Sequence, residues 1–342
     1  MIHIRPFSSI GFVAVCLAIL SLPLAAQQST SLPELVADPS GKGVNLARAT
    51  ESFSSLSLKD SNLYADPPIV GGKAETKTFV RELVRVKWRP NDPIDLYVIR
   101  PVGPKKPPVV LYLYGFPSDS DRFKDDRYCE RVTRGGAAAV GFVSAFTGPR
   151  NEHQPANTWF VSELPEALAT TVHDVQMILN YLDSRGDLDT SHAGILGQGS
   201  GGAIAILAAA ADQRLKAIDL LDPWGDWPDW LATSSIVPRE ERAGYLKPDF
   251  LKRLEPLEPV RFLPELKSRN LRIQFVDEYG EPKAAVQKIE SAAPAAATVR
   301  HYPTALELRT ATKDGGLFTW IFRELMSQQG ADQAAGVRPK EQ

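Results

Sequence analysis

The chain has 342 residues, 43% hydrophobic and 23% charged, which is enough apolar content for one large domain whose core needs no covalent staples. With 39 basic and 41 acidic residues the net charge is −2, and the basic residues are scattered along the sequence rather than gathered into a stripe, which argues against a nucleic-acid partner. The 24 glycines and 27 prolines fall short of a collagen-like or disordered composition, and no fixed-period repeat points to a solenoid or propeller.

At the N-terminus, Arg5 precedes an apolar run from Ile10 to Leu22 that exits through small residues at Ala25 and Ala26. This is the layout of a secretory signal peptide over residues 1–26, cleaved after Ala26. The run is short for a bilayer span. The mature chain is therefore expected to be secreted or periplasmic, with no stable membrane span after cleavage. Cys16 lies inside the segment, which leaves Cys129 as the sole cysteine of the mature chain, and one thiol forms no internal disulfide. Residues 27–77 begin with Gln27, Gln28, Ser29, Thr30 and Ser31, carry Pro33 and Pro39, and show weak periodicity. They predict a loosely ordered leader, a tether or a pad lying on the domain.

From Phe79 the pattern becomes β-rich. Phe79 to Trp88 and Ile94 to Ile99 flank the turn-forming Arg89-Pro90-Asn91-Asp92-Pro93 and predict an antiparallel hairpin. Val109 to Leu113 is continuously apolar, as strands buried on both faces of a parallel sheet are. Further short apolar runs lie at Ala137 to Val143, Ala193 to Gly197, Ala217 to Leu221, Leu271 to Val276 and Ala297 to Tyr302. Between Glu163 and Arg185 the residues Leu164, Leu168, Val172, Val175, Leu179 and Leu182 form one apolar stripe at helical spacing, and Gly186 ends it. A second, alanine-rich helix is expected just after Gly202, running to about Ala211. Strands alternating with helices after an opening hairpin predict an α/β fold: a mostly parallel, doubly wound sheet spanning 78–328, with a flexible tail over 329–342. Its functional loops are expected at the carboxyl ends of the strands.

The run Gly194-Ile195-Leu196-Gly197-Gln198-Gly199-Ser200-Gly201-Gly202-Ala203, a strand leading through a glycine-rich bend into a helix, resembles the nucleophile elbow of the α/β-hydrolase superfamily. Leu113-Tyr114-Gly115-Phe116-Pro117-Ser118-Asp119 resembles that superfamily's oxyanion-hole loop. The overall look is closest to the dienelactone-hydrolase and prolyl-oligopeptidase-like branch of secreted serine esterases and peptidases, so the resemblance implies a hydrolase with no cofactor. In the GxSxG pattern laid on Gly197 and Gly201, the nucleophile position is Gly199, which carries no reactive atom. Shifting the frame by one makes Ser200 the nucleophile. In the unshifted frame the backbone N–H groups of Ser200 and Phe116 would form the anion pocket.

For the remaining triad members the resemblance offers Asp222, at the end of one strand, or Glu281, between Gly280 and Pro282, as the acid, and His301 as the only histidine downstream of the elbow. The loop Pro303 to Gly316, where the resemblance would place the histidine, has none. His301 reads alternatively as a sheet residue bonded to its neighbours. His153 and His173 read as structural or solvated, His192 precedes the elbow strand and faces the wrong end of the sheet, and no histidine or cysteine spacing suggests a metal site.

Gly197, Gly199 and Gly202 also spell GxGxxG, with Asp222 where a ribose-binding acid would lie. Several strands precede that motif, however, and an export signal leads away from nucleotide pools. A cap insertion is expected at about 223–266. Its Trp224, Trp227 and Trp230 either line an apolar binding surface or glue the cap to the sheet. Two functions follow: a catalytically silent, exported hydrolase-fold protein that keeps a pocket for a small-molecule or peptide ligand, or an active serine hydrolase of esters or peptide bonds built on Ser200, Asp222 or Glu281, and His301.

Overall fold

The computed structural model describes residues 51–61, 63–115, 120–146, 150, 160–313 and 316–336. The expected signal peptide, the leader up to residue 50, the proposed oxyanion donor Phe116 and His153 lie outside the described residues.

Nine strands form one sheet in the order β1-β2-β3-β5-β4-β6-β7-β8-β9. They are β1 (Ile69–Glu75), β2 (Phe79–Lys87), β3 (Pro93–Pro101), β4 (Pro108–Leu113), β5 (Ala138–Gly141), β6 (Asp189–Gln198), β7 (Leu215–Leu221), β8 (Asn270–Val276) and β9 (Thr298–Tyr302). β2 and β3 form the expected hairpin, pairing from Phe79 with Pro101 to Lys87 with Pro93. Asn91 turns it at φ +61, a left-handed conformation that asparagine tolerates. From β4 onward the strands run parallel, and every residue of β4 is buried. The short apolar runs seen in the sequence up to Leu271–Val276 are the buried centres of these strands, whereas β9, from the run Ala297 to Tyr302, is a half-exposed edge.

The strand β1 lies inside the segment 27–77 expected as a leader. It pairs antiparallel with β2, and its ladder slips between Val70 and Gly72. It is nearly all exposed, so no burial alternation marks it in the sequence, and backbone hydrogen bonds hold it to the edge. Residues 51–61 also pack on the domain. Glu51 pairs with Arg89 at 2.6 Å and with His173 Nδ1 at 2.6 Å, while His173 Nε2 meets the Ser55 carbonyl at 2.8 Å.

The helices are α1 (Asp126–Thr133), α2 (Leu164–Arg185), α3 (Ser200–Ala211), a string of short cap helices α4 (Trp227–Thr233), α5 (Arg242–Tyr245), α6 (Pro248–Leu254) and α7 (Pro259–Phe262), then α8 (Lys283–Ala292), α9 (Ala305–Ala311) and α10 (Gly316–Gly336). The six predicted stripe residues of α2 are fully buried, and the helix ends at Gly186 in the left-handed region. Helix α3 begins three residues earlier than expected, at Ser200, because Ser200, Gly201 and Gly202 are helical. Helix α10 carries the backbone to Gly336. One buried cluster packs α2 and α3 against the sheet, and a second packs α1 and α10 around Tyr112, Phe123 and Phe318. No helix among the described residues is long and apolar enough to cross a membrane.

Candidate functional site

The bend between β6 and α3 is made by Gly199, at φ +54 and ψ −118. A residue with a side chain is strained there and glycine is not. The Gly199 carbonyl accepts from the N–H groups of Gly202 (3.0 Å), Ala203 (3.2 Å) and Trp224 (3.1 Å), while its own N–H donates to Leu221 (3.0 Å). One residue thus ties the helix, the neighbouring strand and the start of the cap together. The surrounding glycines are dictated by close approach. A Cβ on Gly197 would lie 2.3 Å from the Gly201 carbonyl oxygen, one on Gly201 2.3 Å from that of Leu113, and one on Gly115 2.6 Å from that of Gln198. Ser200, one residue past the bend, opens α3 and is fully buried.

Above the bend lies Trp224, whose indole nitrogen is 3.3 Å from where a Gly199 Cβ would be. Trp224, Trp227 and Trp230 are each at most 2% exposed. Trp224 and Trp230 lie 4.5 Å apart, Trp227 meets Trp230 edge-on, and the Trp227 indole donates to the Leu257 carbonyl at 2.8 Å. The three rings form the seam between cap and sheet. Glu258 fixes the same segment by accepting from the N–H groups of Asp226 (2.7 Å) and Trp227 (2.9 Å). Nothing in the sequence marks Glu258 for this, because only folding brings it beside a loop about thirty residues upstream.

Asp222 ends β7 at φ +46 and is 4% exposed. Its Oδ1 accepts the Val276 N–H at 2.8 Å, and its Oδ2 is buried with no hydrogen-bond partner. Burial pushes its pKa up to about 7, an effect that the Val276 N–H and His301 oppose and Asp277 reinforces. Glu281 is mostly buried and is pushed up to about 7 as well, first by burial and then by the Asp222 charge, against hydrogen bonds from the indoles of Trp230 (3.2 Å) and Trp224.

His301 lies at the end of β9. Its Nε2 is bonded to Glu290, its Nδ1 is 3.9 Å from Asp277, and its ring stacks on Phe275 at 5.2 Å. Asp222, Glu281 and His301 line one cavity of about 560 Å³, within the range of ligand pockets. Ser200 is not among its walls. The sequence-predicted residues are therefore split: the acids and the imidazole share a cavity, and Ser200 is buried outside its walls.

Raised carboxyl pKa values mean that the folded chain binds protons more tightly than the unfolded chain between about pH 4 and pH 7. This contribution to stability is present at the acidic end of that window and is lost as pH rises through it. Asp222→Asn is expected to raise the urea midpoint relative to the parent at pH 8 and to leave it nearly unchanged at pH 4. Equal midpoint shifts at both pH values would refute the assignment.

No family model and no characterised protein sequence matches the chain. Solved structures do match. An acetyl xylan esterase from a Paenibacillus species superposes with a TM-score of 0.55 at 17% identity, over 70% of this chain and 82% of that one. Acetyl xylan esterase 1 from a Thermoanaerobacterium species superposes with 0.56 at 12% identity, over 75% and 89%. The 2,6-dihydroxy-pseudo-oxynicotine hydrolase superposes with 0.52 at 18%, over 72% and 68%. The nine-stranded sheet, the sharp bend after β6 and these likenesses together give the chain an α/β-hydrolase fold.

Proposed function

We propose that the chain is an exported binding protein built on an esterase-like hydrolase fold, with its acyl-transfer chemistry lost. The observation that carries this reading is the residue at the strained bend: Gly199 holds the position a nucleophile would need and offers no atom to attack with. Against the alternative, an active serine hydrolase using Ser200, stand the burial of that side chain and the engagement of His301 with Glu290 and Asp277. The Asp222 and Glu281 cavity is the proposed pocket. Its unpartnered carboxylate oxygen suits a small-molecule or peptide ligand that donates hydrogen bonds.

A fluorophosphonate probe tests the reading, since it labels only a serine whose hydroxyl is activated by a base. The wild-type protein and Ser200→Ala are expected to show the same absence of stoichiometric labelling. Gly199→Ser is expected to remain unlabelled too, because losing the histidine of a serine–histidine pair costs on the order of a million-fold in kcat even with the serine present. Labelling of the wild type that vanishes in Ser200→Ala would overturn the proposal. Export is tested separately by N-terminal sequencing of the secreted or periplasmic protein, with Gln27 as the expected first residue.

A further inference from the structure

Five cations that are scattered in the sequence meet at one concavity in the fold. Arg122 precedes α1, Arg131 and Arg134 lie at its end, Arg309 is in the last turn of α9, and Lys313 follows it. They line a cavity of about 850 Å³ on the side of the sheet covered by α1 and α10, and this cavity shares no lining residue with the Asp222 pocket. The only carboxylate among its described walls is Asp125, whose Oδ1 is already used to accept the Tyr128 N–H at 2.7 Å as the cap of α1.

The five cations have no ion-pair partner among the described residues. Arg122 instead stacks over the Tyr114 ring at 4.3 Å and Arg131 over Tyr128 at 5.7 Å. Several arginines elsewhere are matched, among them Arg81 with Asp126, Arg185 with Glu82 and Asp187, and Arg272 with Asp219. Arg131 and Arg134 are three apart at the end of one helix, a spacing at which like charges repel. A helix C-terminus favours a cation, but that does not account for two helices and a loop delivering their cations to the same cavity.

We propose that this cavity binds a small molecule carrying two or more phosphate, sulfate or carboxylate groups. The guanidinium forks of Arg131, Arg134 and Arg309 are suited to bidentate contacts with such groups. Tyr128, buried at the wall and held against the Tyr114 hydroxyl, gives the ligand body a rigid surface to rest on.

Calorimetric titration of the full chain with pyrophosphate, citrate and a disulfated disaccharide, each beside acetate as a monoanionic control, separates the three sources of anionic charge. At least one of the three is expected to bind about tenfold or more tightly than acetate and to weaken with added salt. Arg131→Gln and Arg309→Gln are each expected to weaken that binding by about fivefold to tenfold. Arg239→Gln, in the cap, is expected to leave it unchanged. All of these side chains are exposed, and far-ultraviolet circular dichroism confirms that each variant is folded. The inference is overturned if none of the three anions outbinds acetate, if Arg131→Gln and Arg309→Gln leave binding intact, or if Arg239→Gln weakens it equally.

Discussion

Asp174→Ala is expected to cost about 3–5 kcal/mol of unfolding free energy, the range for removing one partner of a buried charge network. Asp174 is fully buried in α2 and accepts from the Trp88 indole at 2.9 Å, from Arg150 at 2.7 Å and from Arg89. Arg150 in turn holds Asp92 at 2.7 Å, and Arg89 holds Glu51 at 2.6 Å. Removing the central carboxylate leaves two guanidinium groups, 12% and 6% exposed, with only peripheral counter-charges. A urea titration at pH 7 gives the loss directly. A drop of less than about 1 kcal/mol would mean that the network relaxes without its centre.

The pH dependence of this network has a definite sign. Burial by itself would raise the Asp174 pKa, but attraction to Arg150 and Arg89 outweighs it and leaves the value lowered. Glu51 is lowered as well, with Arg89 and His173 overcoming its burial. A depressed carboxyl pKa stabilises the fold above the unfolded value and ceases to do so as pH falls through the folded value. The gap in stability between wild type and Asp174→Asn is therefore expected to be full at pH 7 and to narrow below about pH 4. This runs opposite to Asp222 and Glu281, whose effect is lost on the alkaline side.

The second large effect is steric. Gly201→Ala places a methyl group 2.3 Å from the carbonyl oxygen of Leu113 and 2.8 Å from its carbon. Both neighbours are backbone, so relief requires α3 to move off β4, and overpacking of this kind costs about 3 kcal/mol or more. The variant is expected to lose soluble yield and near-ultraviolet dichroism. Gly72→Ala, where nothing lies within 4 Å, is expected to behave as wild type. Native-like signals from Gly201→Ala would show that the bend tolerates a wider frame than its geometry implies.

The parts of the fold legible in the sequence are those where burial leaves a hydrophobic trace. The stripe of α2 could be read from its helical period, and the apolar centres of β4, β6, β7 and β8 as short runs buried on both faces of the sheet. The strand β1 could not, since an exposed edge strand hides no side chain and leaves no hydrophobic trace. The site was legible in composition and not in geometry. Gly197, Gly199 and Gly201 could be found by spacing, and Asp222 and Glu281 by their place after strands. That Asp222 would bury one oxygen without a partner, that Glu281 would take two indole hydrogen bonds, and that Arg131 and Arg309 would face one cavity all depend on contacts between residues far apart along the chain.

The slip in the β1 ladder bears on how the molecule avoids sticking to itself. An outermost strand offers a row of unused amide groups on which a neighbour's strand could build, and Ile69 and Val70, each 64% exposed, would make that rim adhesive. The irregularity at Gly71, together with the Lys73 and Glu75 pair just beyond it, breaks the rim into pieces too short and too charged to seed a stacked fibril. A sheet that opens with a kink thus leaves two greasy side chains in water on a rim with little straight length for another strand to extend.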